Sequence, residues 1–290
     1  MAEWKIGVIG GSGLYALDGL EDAQSVTLET PWGAPSDALM TGRIGSVEFV
    51  FLPRHGKGHR LTPSEVPYRA NIDALKRLGC TDVLSISACG SLQEDYAPGD
   101  FVMVDQFIDR TFARVKSFFS AGMVAHVSMA DPICGRLSNL AADAARSVGV
   151  TVHQGGTYLA MEGPQFSSRA ESHLYRQWGC DVLGMTNMPE AKLAREAELP
   201  YATMAMVTDY DCWRADTAAV EVTNVLEVMA ANTAHAKQAL ASLAQHLQSV
   251  PRTPAPSGIE TCLDYALITA PEARDPELLA KLDAVAGRVL

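Results

Sequence analysis

Two carboxylates, Asp209 and Asp211, stand two residues apart in the run Val207-Thr208-Asp209-Tyr210-Asp211-Cys212-Trp213, at the end of the apolar stretch 201–207. In an extended chain that spacing turns both acids to one face and Tyr210 to the other. Paired acids buried at a strand end are costly unless N–H donors lie between or beside them. A purine with a 6-amino group meets that need: N7 accepts from a carboxyl held protonated, and the amine donates to a carboxyl held ionised.

Three further segments supply groups for an oxyanion. Gly10-Gly11-Ser12-Gly13 follows an apolar run, so backbone N–H groups and the Ser12 hydroxyl can approach an anion, although such glycine turns are as often purely steric. Pro53-Arg54-His55-Gly56 ends a second run; Arg54 offers a planar fork and His55 one more donor. Ser87 and the amide of Ala88, where a third run breaks into Ala88-Cys89-Gly90-Ser91, complete the set. Three strand ends converging on one oxyanion is the usual ligand placement in open α/β sheets. His55 and His59 stand four apart, but Gly56 and Gly58 oppose a helix and no third ligand is near, which argues against zinc. Cys89 has no partnered base in its surroundings and reads as a small core thiol.

Two loops follow. In Glu162-Gly163-Pro164-Gln165-Phe166-Ser167-Ser168-Arg169-Ala170-Glu171, the Ser168 and Glu171 spacing is that of a capping box, while Phe166 is free to stack on a flat base or to serve as core. In Gly184-Met185-Thr186-Asn187-Met188-Pro189, a strand end runs into a helix; Met185 is suited to lie under a sugar or simply to pack, and Thr186 to reach the anion.

The elements that must position these residues follow from periodicity. Strands are expected at 5–10, 47–53, 82–88, 101–105, 152–161, 181–185 and 201–208, and helices at 70–79, 136–149, 168–179, 189–198 and 218–248. Alternating strands and helices predict a single α/β domain, with a central mixed β-sheet flanked by helices, over residues 1–250. Residues 251–290 read as a C-terminal extension: a proline-rich strap at 251–258, then a helical pattern at 276–290 that packs on the domain or on a neighbouring subunit. With 290 residues, 48% of them hydrophobic, the chain can bury a large core. Its net charge of −11, with no basic run, opposes binding to nucleic acid. No stretch is long enough to span a bilayer, and six scattered cysteines without a Cys-x-x-Cys pair fit a reduced, cytoplasmic setting. The run 6–9 is too short for a signal peptide.

In this order, the Gly-Gly-Ser-Gly loop, Pro53-Arg54-His55-Gly56, Ser87-Ala88-Cys89-Gly90-Ser91, Glu162-Gly163-Pro164-x-Phe166-Ser167, Gly184-Met185-Thr186 and Thr208-Asp209-Tyr210-Asp211-Cys212-Trp213 resemble the 5′-methylthioadenosine phosphorylases, in the trimeric branch of the purine nucleoside phosphorylase family. The resemblance spans roughly residues 5–248. It implies a nucleoside phosphorylase-like fold, a cytoplasmic homotrimer, and reversible phosphorolysis of 5′-methylthioadenosine to adenine and a sugar 1-phosphate. Inorganic phosphate is then a co-substrate, and no cofactor is implied. It further implies phosphate held by Ser12, Arg54, His55, Ser87, Ala88 and Thr186, and Met185 at the ribose. Phe166 and Ser167 would lie beside the base, with Asp209 at N7 and Asp211 at the 6-amino group. His126, Val222 and Val225 would line a 5′-methylthio pocket, His126 across a subunit boundary. Gln165 departs from an arginine common in relatives, and Asn187-Met188 from the usual pair, which leaves the pocket's shape open. Two alternatives stand beside this reading. One is a phosphorylase for adenosine or for 6-oxopurine nucleosides, the latter lacking the donor expected at Asp211. The other is a dinucleotide-dependent oxidoreductase using Gly11-x-Gly13-x-x-Ala16, for which no helix follows the loop.

Overall fold

A computed structural model describes residues 3–11, 13–14, 17–214 and 222–290, the side chains of 222–225 excepted. Eleven strands form one mixed sheet: β1 (Lys5–Gly10), β2 (Glu21–Val26), β3 (Leu39–Ile44), β4 (Val47–Pro53), β5 (Asp82–Ser91), β6 (Phe101–Met103), β7 (Gln106–Asp109), β8 (Val152–Gln154), β9 (Thr157–Ala160), β10 (Val182–Gly184) and β11 (Tyr201–Asp209). The main path runs β2-β3-β4-β1-β5-β10-β9-β7, with β11 beside β5 and then β6 and β8. Helices α1 (Tyr68–Arg77), α2 (Gly135–Ser147), α3 (Arg169–Gln177), α4 (Asn187–Glu196) and α5 (Val222–Leu247) flank it, and α6 (Pro276–Lys281) and α7 (Asp283–Ala286) lie in the C-terminal tail. The expected single-domain α/β architecture is therefore present.

The strand β5 organises the sheet. It pairs in parallel with β1 over residues 82–86 and with β11 over residues 83–90, and Gly90 and Ser91 at its end pair antiparallel with β10. A strand covered on both sides and both faces is buried along nearly its whole length, as β5 and β11 are, so their few polar side chains, among them Ser85, Ser87 and Thr203, are buried too. β1 and β4 occupy the expected residues. The run 152–161, expected as one strand, divides at Gly155-Gly156 into β8, which pairs with β6, and β9, which pairs with β7 and β10.

Helix α3 opens with the expected capping box, in which the Ser168 hydroxyl accepts from the Glu171 amide and the Glu171 carboxylate accepts from the Ser168 amide. In α4, Met188 departs from helical dihedrals (φ −119°, ψ 131°), so regular helix begins at Pro189. The long α5 buries Ala236, Leu240, Leu243, Ala244 and Leu247, a three-to-four spacing, against α2 and β11. The tail packs on the same core: Ile259, Leu263, Leu278, Leu282 and Val285 are buried in it, and Arg252 anchors the strap by donating to the fully buried Asp82. Among the described residues no helix is long and apolar enough to cross a membrane.

Candidate active site

The acid pair lies where β11 ends, but the path is not a simple extension. The pairing register with β5 slips between Val207 and Asp209, so Thr208 is an extra residue, and Asp211 lies beyond the strand in a left-handed conformation (φ 50°). The expectation that an extended chain aligns the two acids is thus corrected. A bulge followed by a left-handed turn brings them together instead, and aspartate is one of the few side chains that tolerates that region. The Asp209 Oδ1 accepts the Asp211 amide at 2.8 Å, closing the turn. Gly90 of β5 lies against both: a Cβ there would be 3.1 Å from Asp209 Oδ1 and 3.5 Å from the Asp211 Cβ.

Burial raises the pKa of both carboxyls. For Asp209 it outweighs hydrogen bonds from the Thr208 hydroxyl and the Asp211 amide. For Asp211 it outweighs donors that include Ser172 and the Cys212 amide, and the charge of Asp209 adds to it. Ser172 is fully buried, with its hydroxyl facing Asp211. Ser167 faces the same carboxyl, and its carbonyl accepts from the Cys212 thiol at 3.3 Å. Cys89 is buried, and burial with the nearby Asp209 charge pushes its thiol well above the usual range, so it is an inert core thiol.

On the anion side, Arg54 is a buried cation whose fork is largely engaged by protein. Nε donates to Glu190 Oε2 at 2.8 Å, Nη2 to Ser85 Oγ at 2.6 Å and Glu190 Oε1 at 3.2 Å, and Nη1 to the Ile86 carbonyl at 3.2 Å. These bonds leave one Nη1 hydrogen for a ligand. Glu190 also accepts from the Tyr201 hydroxyl at 2.8 Å. Asn187 Nδ2 donates to the Tyr201 oxygen at 3.0 Å, and its Oδ1 accepts from Ser87 Oγ at 3.1 Å. Arg54, Glu190, Tyr201, Asn187 and Ser87 therefore form one buried network across β4, β5, α4 and β11. His55 is buried beside it, stacked on His59 with ring centroids 4.3 Å apart. Its Nδ1 is 2.9 Å from the Leu61 carbonyl, which can only accept, so the proton is on Nδ1 and Nε2 keeps a lone pair. Burial, and then the Arg54 charge, push its pKa down to about 4.

Thr186 is the N-cap of α4 yet its side chain makes no capping bond, which leaves the buried hydroxyl for another partner. Ala88 is half-buried at the open end of β5. Met185 lies under the Gly163 turn, and its carbonyl accepts from Arg114, as do those of Met188 and Glu162. Phe166 is exposed on the 163–168 loop. His126 is exposed on a surface segment where its amide donates to Ala266 O, apart from the contacts that tie the cluster together. Ser12 and the side chains of Val222 and Val225 lie outside the described residues.

Sequence reasoning did not single out Glu190, Tyr201 or Arg114. The one available signal was indirect: an arginine directly after an apolar strand needs a buried carboxylate, without any indication of which.

A mixed α/β sheet whose strand ends gather an acid pair, Asp211 buried and Asp209 half-buried, and an arginine-centred polar network fits an enzyme of the nucleoside-handling kind. Residues 5–247 match the Phosphorylase superfamily, and the chain belongs to it. It is 64% identical over 285 residues to an S-methyl-5′-thioadenosine phosphorylase of Cereibacter sphaeroides, covering 98% of each chain. It is 58% identical over 292 residues to the enzyme of that name from Bradyrhizobium diazoefficiens, covering 100% and 99%. Among solved structures, a methylthioadenosine phosphorylase from an Antarctic soil metagenomic library superposes with a TM-score of 0.91 at 47% identity, covering 98% of this chain and 99% of that one. A methylthioadenosine phosphorylase from Schistosoma mansoni in complex with adenine superposes at 0.83 with 39% identity, covering 91% and 99%.

Proposed function

We propose that this chain catalyses the reversible phosphorolysis of S-methyl-5′-thioadenosine, releasing adenine and 5-methylthioribose 1-phosphate. The observation that carries the reading is the Asp209/Asp211 pair packed on Gly90, Asp211 buried and Asp209 half-buried, in a chain so similar to enzymes of that name. The glycosidic bond breaks through a cation-like sugar, so the rate gain comes from an anion placed beneath that charge and from neutralising the departing base. Phosphate serves as both nucleophile and counter-charge, and no prosthetic group is needed.

Asp209 acts at N7 as the general acid. Burial raises its pKa against the hydrogen bonds it accepts from the Thr208 hydroxyl and the Asp211 amide, which favours the protonated form that N7 needs. Asp211 accepts from the 6-amino group. Ser12, Arg54, His55, Ser87, Ala88 and Thr186 surround the phosphate. With its Nδ1–H on Leu61, His55 meets the anion through Nε2 and accepts from a P–OH, so the form it takes first is monohydrogen or dihydrogen phosphate. Phe166 and Ser167 flank the base, Met185 the ribose, and Val222 and Val225 the methylthio group.

His126 completes that pocket from a neighbouring subunit of a cytoplasmic homotrimer. Its surroundings support this: Val124 and Ile268 are side by side, joined by a 2.9 Å bond from the Ile268 amide to the Val124 carbonyl, and both side chains are exposed, as is the nearby Tyr265. An exposed apolar patch of this kind marks an interface.

The test is adenine or hypoxanthine release from methylthioadenosine, adenosine and inosine, each with and without phosphate. Methylthioadenosine should turn over only with phosphate; equal turnover of inosine would overturn the assignment of the base. Asp211→Asn should narrow the preference for 6-amino over 6-oxo purines by roughly tenfold or more, because the mismatch at a buried acceptor costs about 1–3 kcal/mol. Asp209→Asn should instead lower kcat for both bases by about 10²–10⁴.

A further inference from the structure

The hydroxyl of Tyr158 is fully buried and completes no hydrogen bond, one of a handful of such buried side-chain groups among the described residues. Tyr158 belongs to β9, one strand removed from β5, with β10 between them. Its ring crosses β10 at Gly184, where a Cβ would overlap the Tyr158 oxygen and would lie 3.3 Å from the Ala88 carbonyl. The missing side chain at 184 is what lets the phenol reach β5. There its oxygen faces the Ser87 hydroxyl and the Thr186 amide, while burial holds its pKa far above the usual range, so it stays a neutral donor. Phe107 packs edge-on to the ring with centroids 5.8 Å apart and holds it from the other side.

Three of the groups assigned to the phosphate, at Ser87, Ala88 and Thr186, thus surround a buried donor that has no acceptor. The hydroxyl is sealed from solvent, so it does not touch a ligand directly and must act through its neighbours. Ser87 is the natural relay. Its own proton is on Asn187 Oδ1, and that amide cannot be reversed: its other end faces the Tyr201 and Thr203 hydroxyls, which donate onward to Glu190 and to the Ser85 carbonyl. When Ser87 turns its proton toward an incoming oxyanion it needs a second tether, and the Tyr158 O–H is placed to provide it.

We propose that Tyr158 is a positioning residue for the phosphate cradle, its hydroxyl donating to Ser87 and accepting from the Thr186 amide once the oxyanion is bound. The orphaned hydrogen bond is then completed only in the phosphate complex, which favours that complex over the free enzyme. The proposal rests on the phosphate site described above.

Tyr158→Phe removes the hydroxyl and keeps the ring. The expected result is a phosphate KM raised about three- to tenfold, the size of one hydrogen bond, with kcat and the methylthioadenosine KM within twofold of wild type. The melting temperature without ligand should be unchanged or higher, since an unpaired buried group is lost. An unchanged phosphate KM overturns the proposal, as does a fall in stability that moves both KM values together. In a Ser87→Ala background the Phe substitution should add nothing, because the two act in series; a fully additive loss overturns the relay. The rise in melting temperature produced by inorganic phosphate alone, compared between wild type and Tyr158→Phe, reads the same effect without turnover. That readout separates the two ideas: wild-type protein inert toward every nucleoside defeats the assigned reaction, whereas equal phosphate-induced shifts defeat the role of Tyr158.

Discussion

Asp209 and Asp211 were legible as a pair because their types and spacing are rare at the end of an apolar run, yet the contact that makes them a site is with Gly90, which from sequence reads only as a strand breaking up. Its position follows from register: Asp209 pairs with Gly90 on β5 after the bulge at Thr208. A methyl group at residue 90 would press on Asp209 Oδ1 at 3.1 Å and on Leu183 at 3.2 Å, with Asp211 behind. Each of these is tighter than ordinary contact, and a carboxyl held by two hydrogen bonds has little room to yield. Gly90→Ala should therefore cost only about 1–3 kcal/mol of stability, as overpacking does, but lower turnover tenfold or more, because it shifts the acid against the base it must protonate. The measurement is kcat alongside the urea unfolding midpoint. Full activity in the variant would mean that the acids do not meet the substrate on this side. The role of His55 was half legible: its place beside Arg54 follows from the motif, but the lone pair on Nε2 depends on the Leu61 carbonyl six residues on, in a turn that periodicity does not describe.

At the level of elements, strands buried on both faces announced themselves and polar ones did not. β1 and β4 stand where their apolar runs place them, whereas β2, Glu21–Val26, is exposed along nearly its whole length and carries no hydrophobic signal. β5 continues three residues past its apolar run because β10 arrives to pair with Gly90 and Ser91, a long-range fact absent from local sequence. The same holds for α4. Its position was legible from the apolar spacing and Pro189, but its function as the element that carries Glu190 beneath Arg54 was not. Arg54 and Glu190 are both almost fully buried and bonded to each other. Glu190→Gln keeps an acceptor for the Tyr201 hydroxyl, removes the charge and sets an amide donor against Arg54 Nε. It should destabilise the protein by about 3–5 kcal/mol, the usual cost of leaving a buried cation unpaired. Thermal or denaturant unfolding measures it; a loss below 1 kcal/mol would mean that solvent reaches Arg54 and that its fork is not held by α4.

Across the whole molecule, burial sets two titrations against each other. His55 is held down to about 4 from 6.5, and Glu196, on the same helix as Glu190, is pushed up to about 7 from 4.5. Between about pH 4 and 6.5 the unfolded chain binds the His55 proton and the native one does not, so that contribution to stability rises with pH. Between about pH 4.5 and 7 the native chain keeps the Glu196 proton and the unfolded one releases it, so that contribution falls with pH, and the raised Asp209 and Asp211 act in the same sense. The opposing slopes overlap and flatten the stability profile through mildly acidic pH. Glu196 can be separated from the rest, because a neutral side chain suits its partners. One oxygen accepts the Phe118 amide at 2.7 Å and the other lies 2.7 Å from the Ser117 hydroxyl, which can accept as well as donate. Glutamine reproduces both bonds. Glu196→Gln should leave the melting temperature unchanged at pH 5, where the native carboxyl is already protonated, and raise it at pH 8, where the wild-type chain must bury a charge. The gain corresponds to on the order of 2 kcal/mol. Melting curves of both proteins from pH 5 to 8 give the comparison directly: a gain of the same size at every pH would show that the substitution improves packing and that Glu196 titrates like an exposed carboxylate.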